Sequence, residues 1–322
     1  MKQLKKLFLF LLIFLMITGV VFSGGRREVE TKGTIVFGDA SWDSVQVHNR
    51  IAAFIVEHGY GYTPDYIPGD TIPVYQGVIR GDIHVMMESW TENVQEVYDR
   101  GVADGTIIDL GPNFPDSSQG WWIPTYMIEG DTSRSIDASA PDLTSIDKLP
   151  EYWELFRDPE NPNKGRIYVG PPGWAATTMG TELMEETGLD QYYTAFLPGS
   201  DAALAGSMIA AYRRGEPWLG YYWEPTWVLG SVDMTLLEGS EWPPTQVNIL
   251  INPELKTMAP EVVQFLERYA TKTSDNNEFL AVMKDNDYTT QETAEWFLKN
   301  RESVWTEWVS RDIAAKVKAA LK

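Results

Sequence analysis

The 322-residue chain has no cysteine and only three histidines. Without thiols no disulfide can staple the fold, and the usual zinc sets cannot be assembled. His48, His58 and His84 show no metal-ligand spacing, so they read as packing or surface residues and no metal is expected. Nor does the chain carry a glycine-rich phosphate loop, a dinucleotide fingerprint or a nucleophile elbow, which leaves no cofactor site and no enzyme signature. Positive charge is scarce as well: 26 Lys and Arg stand against 46 Asp and Glu, a net charge of −20. Nucleic acid is a poor partner for such a surface. The acids keep the chain soluble, and screening confines their pull on cations to about 8 Å at physiological salt. With so many acids, adjacent pairs such as Glu185 and Glu186 carry little weight. Tandem repeats and low-complexity tracts are also missing.

What is present begins at the N-terminus. Lys2, Lys5 and Lys6 precede an apolar run over residues 7–22, and Ser23 supplies a small residue at a plausible cleavage point. Residues 1–23 therefore read as a secretory signal, cleaved rather than kept, because the 16-residue run falls short of the ~20 that span a bilayer comfortably. No cysteine is available for lipid attachment, so the expected product is a periplasmic protein, expected to be monomeric. Removing the signal leaves about 299 residues, enough for two domains of ordinary size.

Helical and strand patterns then alternate. The spacing of Val47, Ile51, Ala52 and Ile55 predicts a helix capped at Asp43 or Ser44 and ended by Gly59. A strand over 62–67, a helix over 74–80, a buried strand over 83–87 and a helix over 92–100 follow. Residues 129–164 are polar and loop-rich. Beyond them come a strand from Arg166, helices over 176–186 and 202–214, strands from Trp218 and over 245–251, and helical periodicity from 260 to 322. This order predicts an α/β protein with largely parallel sheets covered on both faces.

Four of the apolar runs end in a turn that delivers a tryptophan: Trp42, Trp90, Trp174 and Trp223. Ligands of α/β proteins bind beyond the carboxyl ends of the strands, so these rings point to an aromatic pocket. Indole faces suit a cation with no hydrogen to donate, such as a quaternary ammonium, at roughly 0.5–2 kcal/mol per ring. Trp153, Trp296, Trp305 and Trp308 lie in amphipathic helical contexts and read as packing residues.

Three segments, Glu88-Ser-Trp90-Thr-Glu-Asn93, Gly170-Pro-Pro-Gly-Trp174-Ala-Ala176 and Tyr221-Tyr-Trp223-Glu-Pro-Thr-Trp227, resemble in order and spacing the substrate-binding proteins of glycine betaine/choline ABC importers. The resemblance runs from Gly33 to the C-terminal helices. It implies a two-lobed periplasmic binding protein fold of type II, each lobe a mixed, mostly parallel sheet flanked by helices. Lobe I is expected over residues 33–124 and 250–322, and lobe II over 125–249. It also implies a non-enzymatic protein that encloses a quaternary ammonium ligand in an aromatic cage and hands it to a membrane permease.

Carried onto this chain, the family's cage implies Trp90, Trp174 and Trp223. The aromatic positions of its choline binders fall at Trp42 and at Trp121 in Gln119-Gly-Trp-Trp-Ile-Pro124. Either the cage is composite or Trp42 and Trp121 support it from behind. The betaine carboxylate is expected on the backbone N–H groups of Ala175 and Ala176, where this chain has Ala-Ala in place of a glycine. Asp43, Glu88 and Glu224 flank three of the rings; they either face the ligand or serve as caps and solvated charges. Glycine betaine, choline, carnitine, proline betaine and dimethylsulfoniopropionate all present a methylated cation and stay undistinguished. An exported carbohydrate-active enzyme, with an acidic pair and stacking indoles, is the alternative from another class, and a binding module serving a sensor is a third.

Overall fold

A computed structural model of the chain describes residues 32–240, 242 and 245–322; the expected signal over 1–23 lies outside the described residues. The first lobe opens with β1 (Thr34–Asp39), α1 (Asp43–Ile55), β2 (Thr63–Pro68), α2 (Thr71–Arg80), β3 (Val85–Trp90), α3 (Gln95–Ala103) and β4 (Ile108–Ser117). The second holds β5 (Gln119–Pro124), β6 (Gly165–Tyr168), α4 (Ala175–Glu186), β7 (Tyr193–Phe196), α5 (Asp201–Arg214), β8 (Gly220–Trp223) and β9 (Met234–Leu236). The chain then returns through β10 (Thr245–Ile251) to a helical tail that includes α6 (Thr273–Asn286), α7 (Thr290–Asn300) and α8 (Arg311–Ala320).

Each lobe has a five-stranded sheet, ordered β2-β1-β3-β10-β4 in the first and β7-β6-β8-β5-β9 in the second. β1 pairs parallel with β2 and β3, while β10 is antiparallel to β3 and β4. The second sheet repeats this: β6 is parallel to β7 and β8, and β5 is antiparallel to β8 and β9. Four of five strands in each sheet thus share a direction, and the reversed one is the strand by which the chain enters from the other lobe. Both sets of parallel strands finish toward the space between the lobes, where α/β sheets bind ligands.

Some expected boundaries move. Sheet membership changes between Ser117 and Gln119 and between Leu236 and Thr245, so residues 119–124 and 245–249 pair in the opposite sheet from the one their expected lobe implies. β4 contains Gly111, Pro112 and Pro115, and no strand was expected over these residues. It is an edge strand bonded to β10 alone, with register shifts, and an edge tolerates prolines that a central strand does not. Gly59 does not end the first helix. The chain continues through a wide turn, Val56–Tyr60, to Gly61 at φ 84°. Gly59 is needed for packing instead, since a Cβ there would stand 2.7 Å from Ile313 Cγ2 on α8.

The first-lobe core collects Ile35, Phe37, Val47, Ile51, Phe279, Phe297 and Val317 around Trp305 and Trp308. Trp305 donates its indole N–H to the Leu298 carbonyl at 2.8 Å, satisfying the polar atom that burial would otherwise strand. His48 is fully buried and joins Tyr269 Oη through Nδ1 at 2.7 Å. Desolvation pushes its pKa down to about 3, so the ring stays neutral.

Candidate functional site

Trp42 caps α1 just past β1, and Trp90 is the last residue of β3. Across the cleft, Trp174 precedes α4 and Trp223 ends β8. These four, with Tyr221, Thr71, Asn93, Ala175 and Ala176, line a cavity between the lobes. Trp174 stands edge-on to Trp42 (5.6 Å, 75°), to Trp223 (5.1 Å, 78°) and to Tyr221 (6.5 Å, 83°). Tyr221 and Trp223 lie nearly parallel, 5.9 Å apart. Among the described residues, no carboxylate, ammonium or guanidinium group is in the lining.

The rings are held by their own N–H groups. Glu88 Oε1, fully buried, accepts from Trp42 Nε1 at 2.8 Å, Trp90 Nε1 at 3.0 Å and Ser44 Oγ at 3.0 Å. Burial pushes the Glu88 carboxyl up to about 7, against the lowering effect of these three bonds. Trp174 Nε1 donates across the cleft to Ser41 Oγ at 3.0 Å, and Ser41 Oγ donates to Asp70 Oδ1 at 2.7 Å. Gly173 lets that turn come close: its φ is 92°, and a Cβ would stand 2.7 Å from Asp70 Oδ2. The side-chain amides of Asn93 and Gln119 exchange two hydrogen bonds between the lobes, at 3.1 and 2.8 Å, and Tyr221 Oη donates to Gln119 Oε1 at 2.9 Å.

Of the residues expected from sequence, Trp42, Trp90, Trp174, Trp223, Ala175 and Ala176 converge on this cavity and Trp121 does not. Trp121 lies fully buried in the second-lobe core, its Nε1 near Gly180 of α4 and without a hydrogen-bond partner. Asp43 and Glu224 are also away from the cavity lining. Glu224 accepts from Ser118 Oγ at 2.7 Å, and Asp43 lines a wider neighbouring groove, where burial raises its pKa against the pull of Trp227 and Lys284. Tyr221, Thr71 and Asn93 were not anticipated. Tyr221 had a readable signal, since it stands two residues before Trp223 on a strand and so shares its face. The Ala175 N–H lies 3.5 Å from Thr71 Oγ1, too far for a strong bond, and therefore retains most of its donor capacity.

Two mirrored α/β lobes closing on an aromatic cavity define a solute-binding protein. Residues 33–300 match the OpuAC family, described as the substrate-binding domain of the ABC-type glycine betaine transport system, and the chain belongs to that family. It is a substrate-binding protein of the glycine betaine/choline type of ABC importer; nothing found supports the carbohydrate-enzyme alternative.

Among its relatives, the trimethylamine N-oxide-binding protein of Pelagibacter ubique is 22% identical over 308 residues, covering 91% of this chain and 96% of that one. The glycine betaine-binding periplasmic protein OusX of Dickeya dadantii is 24% identical over 156 residues, 48% of this chain and 43% of that one. Similar folds include the glycine betaine/L-proline-binding protein ProX of Borrelia burgdorferi, with a TM-score of 0.75 at 17% identity over 88% of this chain and 99% of that one. A choline-binding protein in complex with choline gives a TM-score of 0.75 at 18% identity, over 90% and 98%.

Proposed function

We propose that the protein captures a small methylated ammonium compound, glycine betaine or a near relative such as trimethylamine N-oxide or choline, and delivers it to an ABC permease outside the cytoplasm. The observation that carries this is the convergence of four indoles and Tyr221 on a cavity whose lining, among the described residues, has no charged side chain. Such a surface replaces the water around a trimethylammonium without asking it for a hydrogen bond. The polar end of the ligand is directed to the N–H groups of Ala175 and Ala176 at the start of α4, where the helix dipole favours an anion, with Thr71 and Asn93 beside them. Trp42 belongs to the cage on this reading, and Trp121 supports the second lobe. We assign residues 33–117 and 245–322 to lobe I and 119–236 to lobe II, export to the signal over 1–23, and a monomeric state. Sugar hydrolysis is poorly served: it needs two carboxyl groups flanking the bond, and among the described residues the cavity lining offers none.

The test is a thermal-shift screen of the purified protein against these compounds, common sugars and amino acids. A ligand at 100 times its Kd adds about 2.7 kcal/mol of stability. A rise in Tm with at least one methylammonium compound is expected; shifts confined to sugars would overturn the reading.

A further inference from the structure

Among the described residues the cage lining carries no charged side chain, yet one carboxyl group sits at the edges of two of its rings. Glu88 is fully buried on β3, and its Oε1 accepts the indole N–H groups of both Trp42 and Trp90, with Ser44 Oγ as a third donor. Its other oxygen, Oε2, is buried and has no hydrogen-bond partner among the described residues. We infer that Glu88 is a positioning residue of the binding site: it sets the facing of two walls of the cage through one oxygen, and its negative charge, placed at the shared edge of those two rings, selects for a cation held against them. The inference rests on reading the cavity as a methylammonium site.

Three physical points support it. A single acceptor shared by two indoles fixes their edges at one point, so the two rings move together or not at all. Hydrogen bonds to an ionised acceptor are roughly twice as strong as neutral ones, so the charged form holds the rings more firmly. The carboxylate also sits in a dry interior, where its attraction for a cation is little weakened by water. Because Oε2 is unpartnered, a proton can reside there while Oε1 keeps all three donors. Titration of this group therefore changes the charge and leaves the scaffold of bonds in place. Raised by burial to about 7, it titrates where binding is easily measured.

The other titratable groups around it do not confuse that window. Tyr221 on β8 and Tyr269, beyond the first-lobe strands, both interact with Glu88 and are held neutral by burial. His48 on α1 stays neutral down to about pH 3. Asp201, at the start of α5, is the other carboxyl raised to about 7, and it couples to Asp43 and Tyr221. Asp201 and Asp43 line the neighbouring groove and are absent from the cage lining.

Glu88→Gln tests the charge, since the amide oxygen still accepts the indole protons. Glycine betaine and choline do not change charge between pH 5 and 8.5, so any pH dependence of their Kd belongs to the protein. By titration calorimetry, the wild type is expected to bind at least about tenfold more tightly at pH 8.5 than at pH 5, a coupling of about 1.4 kcal/mol. Glu88→Gln is expected to bind weakly at both, with a flat profile. Asp201→Asn is expected to keep the wild-type profile. In parallel, the indole N–H resonances of Trp42 and Trp90 are followed by NMR in the ligand-free protein; a common pH midpoint, absent from Glu88→Gln, is expected. A flat wild-type profile, a profile unchanged by Glu88→Gln, or one abolished by Asp201→Asn overturns the inference, as do two indoles that titrate apart. A protein that binds no methylammonium at all instead overturns the reading of the cage, while the paired indole titration still decides whether Glu88 braces the rings.

Discussion

Trp223 contributes its face to the cavity and its back to a stack on Tyr222, 4.8 Å away. Its replacement by Ala removes a cation-facing wall, a loss of about 2 kcal/mol in a desolvated cage, or roughly 30-fold in Kd. Phe at the same position retains part of the affinity. Trp308→Ala is the matching control. That ring packs on Tyr269 at 4.1 Å in the first-lobe core, so its loss costs about 3–5 kcal/mol of stability and leaves Kd unchanged in titration calorimetry. His48 makes a second residue-scale prediction. Its folded pKa of about 3 lies below the ordinary 6.5, so between those values the unfolded chain binds the extra proton and stability falls as pH drops. At pH 5 the cost is about 2 kcal/mol, from 1.5 units at 1.36 kcal/mol each. Urea unfolding at pH 7.5 and 5 is expected to show the wild type losing that much more than His48→Gln; equal losses would place the acid sensitivity elsewhere.

At the scale of elements, the proposed seat of the ligand's polar end is the start of α4. Ala175 is its first helical residue, and Trp174 before it is already extended, with φ −76° and ψ 139°. A proline at 175 therefore meets a backbone that suits it, while deleting one N–H. Loss of a charge-assisted hydrogen bond costs roughly 1.5–3 kcal/mol, so Ala175→Pro is expected to weaken glycine betaine by about one to two orders of magnitude and choline much less. Equal losses for both ligands would mean that the cage itself was disturbed. The helix was legible because its apolar spacing and its closing glycine, Gly188, agree. The strands that cross between lobes were not. β5 follows β4 after Ser118 alone, with no glycine or proline tract to mark the change of sheet. Of the two roles open to Trp121, wall or support, the sequence could not choose: its strand, a continuous apolar run, gave no clue to which face would meet the core.

For the whole molecule, the site exists only where the lobes meet. Trp42 and Trp90 come from one sheet, Trp174 and Trp223 from the other, and contacts such as Trp174 to Ser41, the Asn93–Gln119 amide pair and Lys284 over the Trp227 ring at 4.6 Å join the two. Tryptophans recurring after strands revealed the four indoles because strand ends are where α/β sheets bind, and that pattern survives without any knowledge of topology. Glu88 and Tyr221 show what such a pattern misses. One acts through the edges of the rings and the other through strand alternation, and both depend on which faces pack together. The central claim is that the cavity recognises positive charge through its rings. Titration calorimetry with glycine betaine and with 3,3-dimethylbutanoate, the same shape with carbon in place of the ammonium nitrogen, tests it most directly. The account predicts that glycine betaine binds at least about tenfold more tightly, the effect of one or two cation–π faces; equal affinity for the two would contradict it.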